Sequence, residues 1–231
     1  MAHWKGVILD VDGTLVDSND AHARSWVEVF AEAGYHVPFE KVRHLIGEGG
    51  DKLLPQTIGV DQDSPEGKAL SEKRTRRFLD AYLPKLEPFP KARELLLALR
   101  ARGLDLVVAS SASEDELGQI LEAAGVADLL EERTSSDDAE RSKPDPDIVT
   151  AAARVSGHRS DELVVIGDTP YDVEAATRAG IACIALRSGG WADHALAGAV
   201  AIFDDAADLL SHVEETPLGG RFHLSGEEMR P

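Results

Sequence analysis

Two carboxylates stand two residues apart at the end of an apolar run, in Val7-Ile8-Leu9-Asp10-Val11-Asp12-Gly13-Thr14. Like charges this close repel unless a cation shares the site, so the pair points to chemistry with a metal or a phosphoryl group. In an extended strand end, residues two apart share a face, and the Gly13 turn lets Asp10 and Asp12 converge on one centre. Asp168 supplies a third carboxylate after a second apolar run, Leu163-Val164-Val165-Ile166-Gly167, and Asp172 a fourth one helical turn later. Three or four hard oxygen donors, with no His or Cys beside them, suit Mg²⁺, which keeps waters and accepts a phosphate oxygen. Lys143, in Lys143-Pro144-Asp145-Pro146, offers a point charge both to a phosphate and to Asp10. Ser110 and Ser111 follow Val107-Val108-Ala109; with the backbone N–H groups at the next helix start they offer neutral donors to phosphoryl oxygens. Each residue alone has a plainer use, since a carboxylate at a strand end is often a helix N-cap.

Strands must bring these residues together. Val7-Ile8-Leu9 reads as a buried strand stopped by the Asp-x-Asp-Gly turn. From Pro90 onward helices and strands alternate: helix 91–102, strand 104–109, helix 113–124, a short strand near 132–135, helix 144–156, strand 163–166, helix 171–179, strand 181–186 and strand 200–203 before a last helix. Such alternation argues for a parallel sheet covered on both faces, a Rossmann-like doubly wound α/β core. Ligands of open parallel sheets sit beyond the carboxyl ends of the strands, where all the residues above fall.

Between Leu15 and Pro88 the pattern is helical throughout. A helix follows Asp17-Ser18, with Trp26, Val27, Val29, Phe30 and Ala33 at helical spacing, and a charged amphipathic stretch runs from Glu66 to Leu83. A connection of roughly 70 structured residues is a module rather than a loop. Residues 1–17 and 89–231 are therefore expected to form the α/β catalytic domain, and residues 18–88 a helical cap inserted after the first strand. Trp26, Phe30, Phe78 and Tyr82 read as the cap's own core. Glu48, Gly49, Gly50, Asp51 and Lys52 read either as a substrate-contacting loop or as an ordinary glycine-rich turn. The polar tail 217–231 reads as loosely held.

The ordered set Asp10-Val11-Asp12-Gly13-Thr14-Leu15-Val16-Asp17-Ser18, Val107-Val108-Ala109-Ser110, Lys143-Pro144-Asp145-Pro146 and Gly167-Asp168-Thr169-Pro170-Tyr171-Asp172 resembles the haloacid dehalogenase-like hydrolase superfamily. The helical insertion directly after the first motif resembles the branch of phosphoglycolate phosphatases and β-phosphoglucomutase-like enzymes. The resemblance implies a phosphatase in which Asp10 is the nucleophile and Asp12 the general acid and base. It implies Mg²⁺ held by the Asp10 carboxylate, the Asp12 backbone carbonyl and the Asp168 carboxylate, with Asp172 beside the metal. Ser110, Ser111 and Lys143 would bind the phosphoryl oxygens.

Dehalogenases of the superfamily lack the second Asp, which Asp12 supplies here. A phosphomutase is the main competitor, because His22 stands where mutases carry a cap histidine; the plainer reading puts His22 on an exposed face or against the core. The cap-loop arginine of a mutase would fall near Gly47-Glu48-Gly49-Gly50, and none is there; Arg43 and Lys52 only flank the gap. His22, Gly49 and Lys52 are the cap residues expected to face substrate. A non-catalytic phosphoryl-ligand binder is a third class, but every reactive position is filled.

Composition bounds the partners. A formal charge of −18, from 24 basic and 42 acidic residues, repels nucleic acid and anionic membrane, leaving a small phosphorylated metabolite as the expected ligand. Cys183 is the only cysteine, which excludes an internal disulfide and a cysteine metal site. The chain enters its first strand almost at once, and no apolar run spans a bilayer, so a cytoplasmic protein, monomeric by default, is expected.

Overall fold

The computed structural model describes residues 4–219. Six strands, β1 (Gly6–Leu9), β2 (Asp105–Ala109), β3 (Arg133–Thr134), β4 (Leu163–Gly167), β5 (Ala182–Leu186) and β6 (Ala201–Phe203), pair in parallel in the order β3-β2-β1-β4-β5-β6. The expected α/β doubly wound sheet is thus present. The two-residue repeat of the strands sorts their side chains into two layers. Val7, Leu9, Val108, Ile166 and Ile184 face one cluster, closed by α5 (Ala92–Ala101), α6 (Glu114–Ala123) and α9 (Ala206–His212). Ile8, Val107, Val165 and Cys183 face the other, closed by α7 (Asp147–Ser156) and α8 (Pro170–Arg178). Each fully buried aliphatic side chain contributes about 1.5–3 kcal/mol, so the short strands are held by their two faces as well as by their ladders.

Strand order decides where the site lies. The chain runs outward from β1 through β2 to β3, then returns to β4 on the other side of β1. Loops leaving the carboxyl ends of β1 and β4 therefore part in opposite directions and open a crevice between them. Leu9 is in register with Val108 and with Ile166, so Asp10 and Asp168 emerge side by side.

Helices α1 (Asn19–Glu32), α2 (Phe39–Arg43), α3 (Gly50–Ile58) and α4 (Pro65–Arg77) fill the connection from β1 to β2. Ser64 starts α4, its hydroxyl accepting the Gly67 N–H at 3.0 Å with Pro65 at the first helical position. These helices bury a cluster of their own, including Trp26, Val29, Phe30, Val42, Leu53, Leu54 and Leu70. Phe78 and Tyr82 do not join it, contrary to the sequence reading. They lie in a π-helical turn, Phe78–Tyr82, and pack on the sheet's cluster. Eight residues past Leu70, about 12 Å along the axis, the helix has left the inserted cluster and reached the core.

Two smaller expectations also change, at the start of α7 and in the tail. Helix α7 begins at Asp147 rather than Pro144, because Asp145 precedes Pro146 and a residue before proline is kept out of the helical region. Ser18 stands at the N-cap of α1 without capping it, its hydroxyl being committed to Asp12. Residues Pro217–Gly219 of the tail form a 3₁₀ turn that buries Leu218, while 220–231 lie outside the described residues. Among the described residues no helix is long and apolar enough to cross a membrane.

Candidate active site

Asp10 is the first residue beyond β1, and its N–H donates to the Ile166 carbonyl at 2.9 Å, which fixes it between the ends of β2 and β4. Lys143 Nζ donates to Asp10 Oδ1 at 2.5 Å and lies 2.7 Å from Asp172 Oδ1. Asp172 is in turn fixed by its role at the start of α8, where Oδ2 accepts from the Thr169 N–H at 3.0 Å and its hydroxyl at 2.6 Å. Asp168 Oδ1 accepts from the Thr14 hydroxyl and Oδ2 from Asn19 Nδ2, both at 2.9 Å. All four charged groups are buried.

Three carboxylates around one ammonium leave an excess of negative charge. Burial pushes Asp10 well above the ordinary carboxylate range; Lys143 opposes this, while Asp172, Asp168 and Asp12 add to it. Burial, then Asp172, pushes Asp168 up to about 7 against the pull of Asn19 and Thr14. Lys143 stays charged despite its burial because Asp10 and Asp172 hold it. One oxygen from each of Asp10, Asp168 and Asp172 lies within 4.8 Å of the others. Glycine keeps the space around them open: a Cβ on Gly13 would stand 2.1 Å from Asp168 Oδ2 and one on Gly189 2.2 Å from the same atom. An all-oxygen cluster short of positive charge fits a hard divalent cation such as Mg²⁺.

Asp12 faces the same crevice with different partners. Its Oδ1 accepts from the Ser18 hydroxyl at 2.5 Å and lies 2.7 Å from His22 Nε2. Arg74 Nη2 approaches the other ring nitrogen, Nδ1, at 2.9 Å. An arginine only donates, so Nδ1 accepts and the ring proton sits on Nε2, which donates to Asp12. Arg74 is itself clamped by Glu116, Nη1 lying 2.6 and 2.7 Å from the two carboxylate oxygens. His22 stacks on Phe78 at 4.0 Å, and the Arg74 guanidinium lies over Trp26 and Phe78. Burial raises Asp12, but the His22 ring, the Ser18 hydroxyl and Arg74 outweigh it and hold the carboxyl below its ordinary value.

Asp10 and Asp12 open together onto a cavity of about 170 Å³. The sheet side contributes Ser111, Ser113, Glu116 and Ser136; the inserted helices contribute His22, Gly47 to Gly50, Gln62, Ser71 and Arg74.

The family model for haloacid dehalogenase-like hydrolases matches residues 7–186. The chain belongs to this family. A phosphoglycolate phosphatase of Rhodospirillum rubrum is 32% identical over 216 residues, covering 89% of each protein. The chloroplastic protein Suppressor of Quenching 1 of Arabidopsis thaliana is 34% identical over 79% of this chain, which spans only 18% of that longer protein. Among solved structures, a hydrolase from Pseudomonas syringae superposes with a TM-score of 0.84 at 31% identity, covering 91% of this chain and 98% of that one. The enzyme class read from the sequence, a phosphoric monoester hydrolase, therefore stands.

Within this haloacid dehalogenase-like hydrolase the residues singled out from the sequence do not all meet. Asp10, Lys143, Asp168 and Asp172 form one cluster, and Asp10 and Asp12 share the cavity. The Asp12 side chain turns to His22 and Ser18 through Oδ1. Ser111 lines the cavity and donates to the Gly47 carbonyl at 3.1 Å; Ser110 accepts the Ala112 N–H and lines an adjoining hollow with Gly49, Gly50 and Ser142. His22 is buried against Phe78, so the exposed reading is wrong and the packed one right, with a bond to Asp12 added. Lys52 is a correction: it pairs with Asp145 at 2.5 Å, tying α3 to the loop before α7, and does not line the cavity. Arg43 bonds the Gly189 carbonyl and Asp20, also away from the cavity.

Sequence reasoning missed Asn19, Arg74 and Glu116. Asn19 directly follows the quoted Asp17-Ser18 and had a polar type that could have marked it. Arg74 sits in Lys73-Arg74-Thr75-Arg76-Arg77, where nothing distinguishes it from its solvent-facing neighbours.

Proposed function

We propose that this chain is a magnesium-dependent phosphatase that hydrolyses a small phosphomonoester through an aspartyl-phosphate on Asp10. The observation that carries this reading is the division of labour between two carboxylates on one cavity: Asp10 is held by Lys143, Asp12 by His22 and Ser18. Asp10 attacks phosphorus in line; the bond from phosphorus to the leaving oxygen breaks as the bond to Asp10 forms. Asp12 gives the leaving alkoxide its proton, then takes one from the water that attacks phosphorus and frees Asp10. At rest Asp12 is ionised, the form that serves the second step. For the first it binds a proton as the phosphate dianion enters, whose field raises its proton affinity. Lys143 keeps Asp10 in place and offsets the charge that a dianion meets there.

Asp10, Asp168 and the carbonyl of Asp12 are the groups that would hold Mg²⁺, with Asp172 beside them. When bound, the ion supplies charge neutralisation for the transferring phosphoryl group. Residues 18–88 act as a cap over a catalytic core of residues 1–17 and 89–231, excluding water and reading the leaving group. Support comes from the cavity itself, which takes its walls from both parts.

Chelator-treated protein is expected to gain about 2.7 kcal/mol when Mg²⁺ reaches a hundred times its Kd. That corresponds to a Tm rise of about 5–10 °C by calorimetry. Asp168→Asn should lose most of the rise, and a wild-type Tm indifferent to Mg²⁺ would refute the metal assignment. Hydrolysis is favoured over phosphomutase action because residues 47–50 carry no arginine and Arg43 is engaged with Asp20 and Gly189. With hexose 1-phosphates, free phosphate is the expected product; isomer formation without phosphate release would reverse the ranking. Turnover of an aryl phosphate with Mg²⁺ separates either enzyme from an inert binder. The substrates named for relatives, phosphoglycolate among them, are the first to assay.

A further inference from the structure

Away from Asp10 and Asp12, the cavity wall carries three charged side chains, Glu48, Arg74 and Glu116. Arg74 is the one cation among them; its two terminal nitrogens are already engaged, and only Nε is without a partner. Both oxygens of Glu116 take its Nη1, and Nη2 is committed to His22 Nδ1 at 2.9 Å. Thr75 Oγ1 adds a third bond to Glu116 at 3.2 Å, so the pair is fixed from both sides. An ion pair of this kind, in a largely buried wall, presents little net charge to a ligand. Glu48, held by Gln56 at 2.6 Å, then leaves this wall with a net negative charge. A leaving group carrying a carboxylate or a second phosphate would meet repulsion there and a cation already neutralised by Glu116.

Neutral polar groups, by contrast, are plentiful. Gln62, Ser71, Thr75, Ser111, Ser113 and Ser136 line the same cavity. Of these neutral groups, Gln62 Oε1 and Ser71 Oγ are buried with no hydrogen-bond partner. Buried polar atoms are normally paired, and two neutral orphans in the wall of one cavity suit a ligand that brings hydroxyls.

We propose that this enzyme takes monophosphates whose leaving group is uncharged and hydroxylated, a polyol or sugar, and that Glu116 sets this preference by neutralising Arg74. Glu116 acts on specificity through Arg74 and touches no reacting atom. This rests on the phosphatase reading above and narrows its substrate class.

The test compares kcat/KM for 2-hydroxyethyl phosphate and 2-phosphoglycolate, which differ only in a hydroxymethyl against a carboxylate, on the Mg²⁺-loaded full chain. p-Nitrophenyl phosphate serves as a third substrate. The wild type should favour the hydroxyl compound by about tenfold or more, the range a single polar contact can discriminate. Glu116→Gln frees Arg74 for a carboxylate and should shift the ratio toward phosphoglycolate by about tenfold, mostly through a lower KM. Since Glu116 is buried, Glu48→Gln in the same cavity wall gives an independent check and should move the ratio the same way by a smaller factor. A wild-type preference for phosphoglycolate, or a ratio unmoved in both folded variants, overturns the proposal while hydrolysis of p-nitrophenyl phosphate leaves the phosphatase reading standing. Failure to hydrolyse any of the three removes that reading and the specificity proposal with it.

Discussion

Asp10→Asn should lower kcat for p-nitrophenyl phosphate by about 10⁴-fold or more, the scale seen when an enzyme loses its nucleophile. Asparagine keeps the shape of the side chain and loses the attacking oxyanion. The fold should survive because Lys143 retains its second partner, Asp172, at 2.7 Å. Burial already works against a charge at Asp10, so removing that charge relieves a cost rather than creating one. Urea denaturation should therefore show stability within about 1 kcal/mol of wild type, or a gain. Turnover near the wild-type rate would exclude Asp10 as nucleophile, and a large loss of stability would mean that the carboxylate is chiefly structural.

Asp12→Asn should behave differently with two kinds of ester. An alkyl phosphate needs its leaving oxygen protonated, so its turnover should fall by about 10²–10⁴-fold, the usual contribution of a general acid. p-Nitrophenolate leaves without a proton, so phosphorylation of Asp10 should remain rapid. The amide cannot activate water, so the covalent intermediate should accumulate. Stopped-flow absorbance should then show a burst of one p-nitrophenolate per enzyme followed by slow turnover. Equal losses for both esters with no burst would remove Asp12 from proton transfer.

The two predictions rest on residues of very different visibility. Asp10, Asp12 and Asp168 could be read from the sequence because strands end in them, and a parallel sheet gathers its strand ends on one edge. Lys143 was readable for the same reason, as the loop after β3 returns to that edge. The partners of Asp12 were not. Its link to Glu116 runs through His22 and Arg74, on two inserted helices whose placement against the sheet no local pattern encodes. Phe78 shows the same limit: its helical spacing from Trp26 and Phe30 is compatible with either cluster, and only the point where α4 reaches the core decides. Lys52 failed in the opposite sense. Proximity to Gly49 and Gly50 in sequence suggested a shared loop, but Gly50 opens α3 and turns Lys52 toward Asp145. Local periodicity thus identified the elements, whereas contacts between inserted helices and core depend on packing over long sequence separations.

The most direct measurement of the central claim uses the same Asp12→Asn variant. Mixed with Mg²⁺ and p-nitrophenyl phosphate, quenched in acid within the burst and digested, it should yield a peptide from the first strand heavier by one phosphoryl group. Fragmentation should place that group on Asp10. An unmodified Asp10 peptide at the height of the burst, or a phosphoryl group on His22 instead, would contradict the mechanism.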